Sequence, residues 1–192
     1  WERFTPTASS GTGVFNTFLV MNNTADKSGI EKGYNTDADF QFDEKETQHT
    51  NPIKLKDVPL IYIADNYFRE FQLDINENLS ADEYYLSLDI FQVWITDNPM
   101  ISDYDYNSLS FPTTESDPNY AEKVYDLGSA NSIKLDARSN AGSGKRDIRV
   151  LVPESLFDEY SGEDFVVLFV QHGDTYPEDD GNEEWGCRKS WH

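Results

Sequence analysis

The chain has 192 residues, enough for one large domain whose core needs no disulfide staple. Thirty-six Asp and Glu against fifteen Lys and Arg give a formal net charge of −21, which speaks against nucleic acid and anionic membrane as partners, since both demand basic patches. Twelve Phe, eleven Tyr and four Trp argue against disorder, and the lone Cys187 rules out an intrachain disulfide or a Cys-based zinc site.

Residues 1–12 are rich in Ser, Thr and Gly and read as a lead-in, with no charged-then-apolar signal segment. A secreted product would therefore be mature or excised from something larger. Residues 14–21 form a compact apolar run of strand length, and residues 22–37 read as a long loop. Phe40 and Phe42 alternate with Asp39, Gln41 and Asp43, which predicts a short half-exposed strand. Residues 58–63 are another strand, placed near an edge or a strand start by Pro59.

The strongest period-two signal covers residues 67–76. Phe71, Leu73 and Ile75 point one way, and Gln72, Asp74 and Asn76 the other. Residues 85–96 follow with Leu86, Leu88 and Ile90 opposed by Ser87 and Asp89. Further strands are predicted at 123–127, 133–136, 148–152 and 165–170, and Pro153 opens one short helical piece over 153–160. The last residues, 187–192, read as a tail. Some nine short strands separated by turn-rich loops predict an all-β fold, an antiparallel β-sandwich with Greek-key or jelly-roll connections. The whole of 1–192 then forms a single ligand-binding domain.

So many carboxylates on one domain repel one another, and hard oxygen ligands are what calcium requires. Four acidic clusters stand out. Asp37 and Asp39, followed by Asp43, Glu44 and Glu46, mimic EF-hand spacing, but Phe40 occupies the place of the turn glycine and no helices flank the segment. Asp74, Asn76 and Glu77 sit where the best strand leaves its sheet. Asp103, Asp105 and Asn107 stand at alternate loop positions, interleaved with Tyr104 and Tyr106, which read as ligand-contacting aromatics. The run from Glu178 to Trp185 holds Asp180 and Glu184, and Trp185 favours an ordered segment over a frayed acidic tail. Even spreading of acids for solubility is the plain alternative. The Gly-rich basic stretch from Arg138 to Arg146, with Ser143 and Gly144 at its centre, offers backbone amides beside cations, although a flexible hairpin connection explains it too.

Catalysis finds little footing. His49, His172 and His192 lie in no metalloprotease helix, no Gly-x-Ser-x-Gly elbow occurs, and carboxylate pairs are uninformative in so acidic a chain. No enzyme is predicted, and His172 reads as a structural or rim residue.

The segments Gly33-Tyr34-Asn35-Thr36-Asp37, Phe71-Gln72-Leu73-Asp74-Ile75-Asn76-Glu77, Val124-Tyr125-Asp126-Leu127, Ala141-Gly142-Ser143-Gly144 and Glu183-Glu184-Trp185 together resemble the calcium-dependent peptide-binding domains of very large RTX adhesins of Gram-negative bacteria. The resemblance covers most of the chain. It implies a β-sandwich holding several calcium ions, secreted or displayed on the bacterial surface within a larger protein beside other adhesin domains. Its implied partner is the free C-terminus of a peptide or protein on a host cell, and its implied calcium ligands are Asp37, Asp74, Asn76, Asp180 and Glu184. The rival readings are a calcium-dependent lectin, with Tyr104 or Trp94 against sugar, and a structural extender domain.

Overall fold

The computed structural model describes residues 15–23, 29–45, 48–75, 84–128, 130–140, 147–177 and 181–188. Eleven strands occur among them: β1 (Phe15–Met21), β2 (Glu31–Tyr34), β3 (Ile53–Lys54), β4 (Leu60–Ile63), β5 (Asn66–Asp74), β6 (Tyr85–Thr96), β7 (Glu122–Asp126), β8 (Ile133–Asp136), β9 (Ile148–Pro153), β10 (Phe165–His172) and β11 (Glu183–Arg188). All recorded pairings are antiparallel. One sheet runs β1-β11-β5-β4, with β9 also on β5; the other runs β2-β10-β6-β7, with β3 on β10 and β8 on β6. The chain is therefore an all-β sandwich, as its alternating segments predict.

Alternation builds the main core. Phe71 and Leu73 of β5, Phe91 and Val93 of β6, Val166, Leu168 and Val170 of β10 and Trp185 of β11 all turn into the space between the sheets. Phe71 and Phe91 meet edge-on at 5.8 Å across it, and Phe91 lies 5.3 Å from Trp185. Such ring pairs contribute about 0.5–1.5 kcal/mol beyond the area they bury.

The opposite faces of β6 and β10 are also buried. Ile90, Trp94, Val167 and Phe169 pack there against Tyr34, Ile101, Tyr104, Phe111 and Ala121. Residues 97–121 thus cover the second sheet like a third layer. This explains why Gln92 on that face of β6 is inaccessible, while Ser87 and Asp89 are covered instead by residues 173–176, whose backbone N–H groups donate to them.

Five expectations need correction. The stretch 187–192 is not all tail, because β11 runs on through the buried Cys187 to Arg188. Residues 22–37 are not one loop, because β2 lies among them and pairs with β10 from Phe169↔Tyr34 to His172↔Glu31. Residues 39–43 form no strand; Phe42 leaves regular pairing to pack edge-on against Tyr34 and Tyr104. The helical piece over 153–160 shrinks to a single 3-10 turn, Glu154–Phe157, because β9 runs on to Pro153. The polar set of β5 does not face water, since Gln72 and Asp74 are as buried as Phe71 and Leu73. Pro59 behaves as expected: it immediately precedes β4, which has β5 as its only strand neighbour among the described residues.

Candidate functional site

The apolar run of β1 ends at Asn22 and Asn23, and the chain returns as β2. One main-chain and one side-chain hydrogen bond fix this corner: Asn22 N–H donates to the Asp43 carbonyl (3.1 Å), and Asn23 Nδ2 donates to the Ile30 carbonyl (2.6 Å). β2 carries Glu31 on one sheet, opposite His172. β11 carries Glu183 on the other sheet, opposite Met21. The two carboxylates meet at this end of the sandwich, and both residues are 0% exposed.

Glu31 Oε1 accepts from Asn23 N–H at 2.7 Å, but among the described residues no hydrogen-bond donor reaches its Oε2. Asn22 Oδ1 is likewise buried without a donor, while its Nδ2 donates to the Gly181 carbonyl. Burial pushes the Glu31 carboxyl above the usual range, and the nearby Asp43 charge adds to this; hydrogen bonding and the field of Lys45 oppose it. Two buried acids in contact are tolerable when they share a proton or when a cation lies against them.

His172, beside Glu31, does not supply that cation. Trp185 Nε1 can only donate, so His172 Nε2 accepts its bond (3.0 Å) and Nδ1 carries the hydrogen toward the Ser87 carbonyl at 3.2 Å. Complete burial lowers its pKa to about 4, so the ring is neutral at physiological pH.

The structure scatters the sites expected from sequence. Asp37 and Asp39 are exposed. The residues just before them serve the fold: Gly33 makes room for Glu44, Asn35 bonds the edge of β10, and Thr36 Oγ1 donates to the Ile101 carbonyl (2.7 Å). Asp74 and Glu184 do come together as direct partners across β5 and β11. Glu184 Oε2 also accepts from Thr17 Oγ1 at 3.0 Å. Asp147 arrives from the β9 side, its N–H donating to the Leu73 carbonyl and its Oδ2 accepting from Ile75 N–H. Asn76, Glu77, Asp180, Ser143 and Gly144 lie outside the described residues.

In the loop from Asp103 to Asn107 the acidic side chains are engaged by hydrogen bonds within and beside the loop. Asp105 Oδ1 accepts from the backbone and side-chain N–H groups of Asn107, and its Oδ2 accepts from Ser108 Oγ. These bonds hold the Asp105 carboxyl below its ordinary pKa. Asp103 Oδ2 is taken by Asn119 Nδ2 at 2.8 Å.

Tyr104 corrects the reading of a ligand-contacting aromatic. It is 1% exposed, stacks on Phe169 at 3.9 Å and donates through its hydroxyl to Gln92 Oε1. Trp94 is buried beside it. Neither ring can meet a sugar. Tyr106 does reach the surface, with its ring under the Lys32 ammonium at 4.8 Å and its hydroxyl on Gln171.

Among the described residues, no three His, Cys, Asp or Glu side chains converge closely enough to hold a metal ion. Calcium takes about six to eight oxygens, however, and amides and carbonyls count among them. Glu31 and Glu183 are a hard, buried, oxygen-only pair, and the side-chain oxygen of Asn22 is buried at the same strand end, so these oxygens fit part of such a shell. Periodicity could not reveal Glu31, because Glu31-Lys32-Gly33-Tyr34 carries no apolar alternation. The paired asparagines ending the β1 run were the available cue. Compared with known families, curated proteins and solved structures, the chain matches none.

Proposed function

We propose that this chain is a calcium-dependent adhesion module that binds the C-terminal ends of peptides or proteins. The observation that supports the calcium part is the contact of Glu31 with Glu183, both wholly buried, at the strand end where Asn22 Oδ1 is also buried with no donor among the described residues. Calcium bound there would offset carboxylate repulsion and tie β2 of one sheet to β11 of the other. Glu31, Glu183 and Asn22 would hold it. Asp74 with Glu184 is the second candidate pair, at the exit of the central strand.

The peptide part rests on the family resemblance and on chemistry. A peptide's terminal carboxylate is a hard anionic oxygen ligand, suited to calcium that keeps an open position. The burial of Tyr104 and Trp94 weighs against the sugar-binding alternative, which needed an accessible ring. The test is a screen of peptides with free C-termini against amidated counterparts, in calcium and in EDTA. Binding that requires both the free carboxylate and calcium is the expected result. Equal binding of amidated peptides, or binding that ignores EDTA, overturns the reading.

A further inference from the structure

We propose that the outer edge of β4 is a docking site for an extended, non-acidic peptide, which adds to the sheet as a further strand. β4 and β5 form a hairpin in register from Leu60↔Arg69 to Ile63↔Asn66, joined by the two-residue turn Ala64-Asp65 with φ of 48° and 62°. Two left-handed residues are the signature of a tight turn whose flanking pair is hydrogen-bonded. Ile63 and Asn66 therefore face each other through their main chains, and so, two residues on, do Ile61 and Phe68. The bond from Glu70 N–H to the Pro59 carbonyl, 3.0 Å, has the same phase.

By alternation, the N–H and C=O groups of Leu60 and Tyr62 point away from β5. No strand pairs with β4 on that side, and no other main-chain partner meets these groups among the described residues. An open edge of this kind is a template for another strand.

The side chains are those of a recognition strip. Leu60 is 47% exposed, Tyr62 58% and its cross-strand neighbour Tyr67 55%. The two tyrosine rings lie 4.9 Å apart, and Tyr62 Oη donates to Asp65 Oδ1 at 2.9 Å. The Leu-Ile-Tyr-Ile sequence of β4 carries none of the lysines that usually guard an edge. The hairpin base is also held firm. Arg69 donates to the carbonyls of Leu55 and Val58, and its Nε and Nη2 grip both oxygens of Glu154.

Charge selects the occupant. Pairing two copies through β4 would bring together two bodies each carrying −21, whereas a neutral strand meets no such repulsion and a basic one is attracted to the same surface. The inference goes beyond the calcium reading and does not depend on it.

The test titrates the chain with a doubly capped peptide of alternating valine and lysine, by calorimetry and by amide hydrogen exchange. Binding with new protection of the Leu60 and Tyr62 amides is expected. Tyr62→Pro removes one outward N–H at an edge, where proline is tolerated, and Leu60→Lys adds a guarding charge. Each should weaken binding by about tenfold or more, as loss of edge hydrogen bonding or apolar contact implies. Should Tyr62→Pro disturb folding, Leu60→Lys still decides the matter. Absent binding, equal affinity in a folded variant, protection elsewhere on the chain, or a β4-dependent dimer in sedimentation would each overturn it. The probe has no free carboxylate, so its binding in calcium-free buffer speaks for β4 alone. Failure of free-ended peptides to require calcium would count only against the calcium reading.

Discussion

Gly33 has no side chain because Glu44 occupies the space one would need. A Cβ there would lie 2.8 Å from Glu44 Cγ. Glu44 cannot easily retreat, since it accepts from the N–H groups of Tyr34 (3.0 Å) and Phe42 (2.7 Å). Gly33→Ala should therefore cost about 1–3 kcal/mol, the usual range for overpacking a closed site. Urea unfolding of the variant measures this, and an unchanged midpoint would contradict it. His172 makes a second prediction at this scale. Its folded pKa of about 4 lies below the ordinary 6.5, so the fold favours the neutral ring. That stability is fully present above pH 6.5 and is lost as pH falls from there toward 4. The full loss is about 3 kcal/mol by linkage. Comparing wild type with His172→Gln between pH 7 and pH 4 isolates the effect; the variant should lose less stability on acidification. Equal losses would show that the ring does not govern this window.

At the scale of elements, β10 is served on one edge by two short strands and a side chain. β3 pairs with Phe165 and Val166, and β2 pairs from Phe169 onward. Asn35 fills the gap between them, donating to the Val166 carbonyl (2.9 Å) and accepting from Leu168 N–H (2.7 Å). Asn35→Ala leaves both buried groups without that partner and should cost about 2–4 kcal/mol, read from chemical denaturation. A loss below the error of the measurement would mean that water replaces the amide. This device shows what a sequence discloses and what it hides. β5 and β6 are legible because their Phe, Leu and Ile recur at every second residue over long stretches. β2 is not, because its burial comes from Asn35, Tyr34 and the Glu31 carboxylate rather than from an apolar stripe. The tyrosines between Asp103 and Asn107 looked like a contact surface, and only the folding of 97–121 onto β6 and β10 makes Tyr104 a core residue. Trp185 did signal order near the acidic stretch, since one large buried ring anchors β11 between the sheets.

For the molecule as a whole, the charge of −21 sets the question that calcium would answer. The sequence made acid abundance plain but not which acids meet, because pairing depends on register. Asp74 and Glu184 lie far apart in the chain yet are cross-strand partners. Glu31 and Glu183 come from different sheets. A cation bound only by the native state adds to stability in proportion to the logarithm of its concentration. Carboxylate repulsion should conversely lower stability in EDTA, most strongly at low salt, where screening is weakest. The most direct measurement is calcium titration calorimetry paired with thermal unfolding, on wild type and on Glu31→Gln. Wild type should take up calcium and melt at a temperature that rises with it. Glu31→Gln should be at least as stable as wild type in EDTA, because a repulsive charge is gone, and should lose most of the calcium-dependent rise. A wild-type chain that takes up no calcium, or a Glu31→Gln variant whose melting temperature rises with calcium as wild type does, would contradict the account.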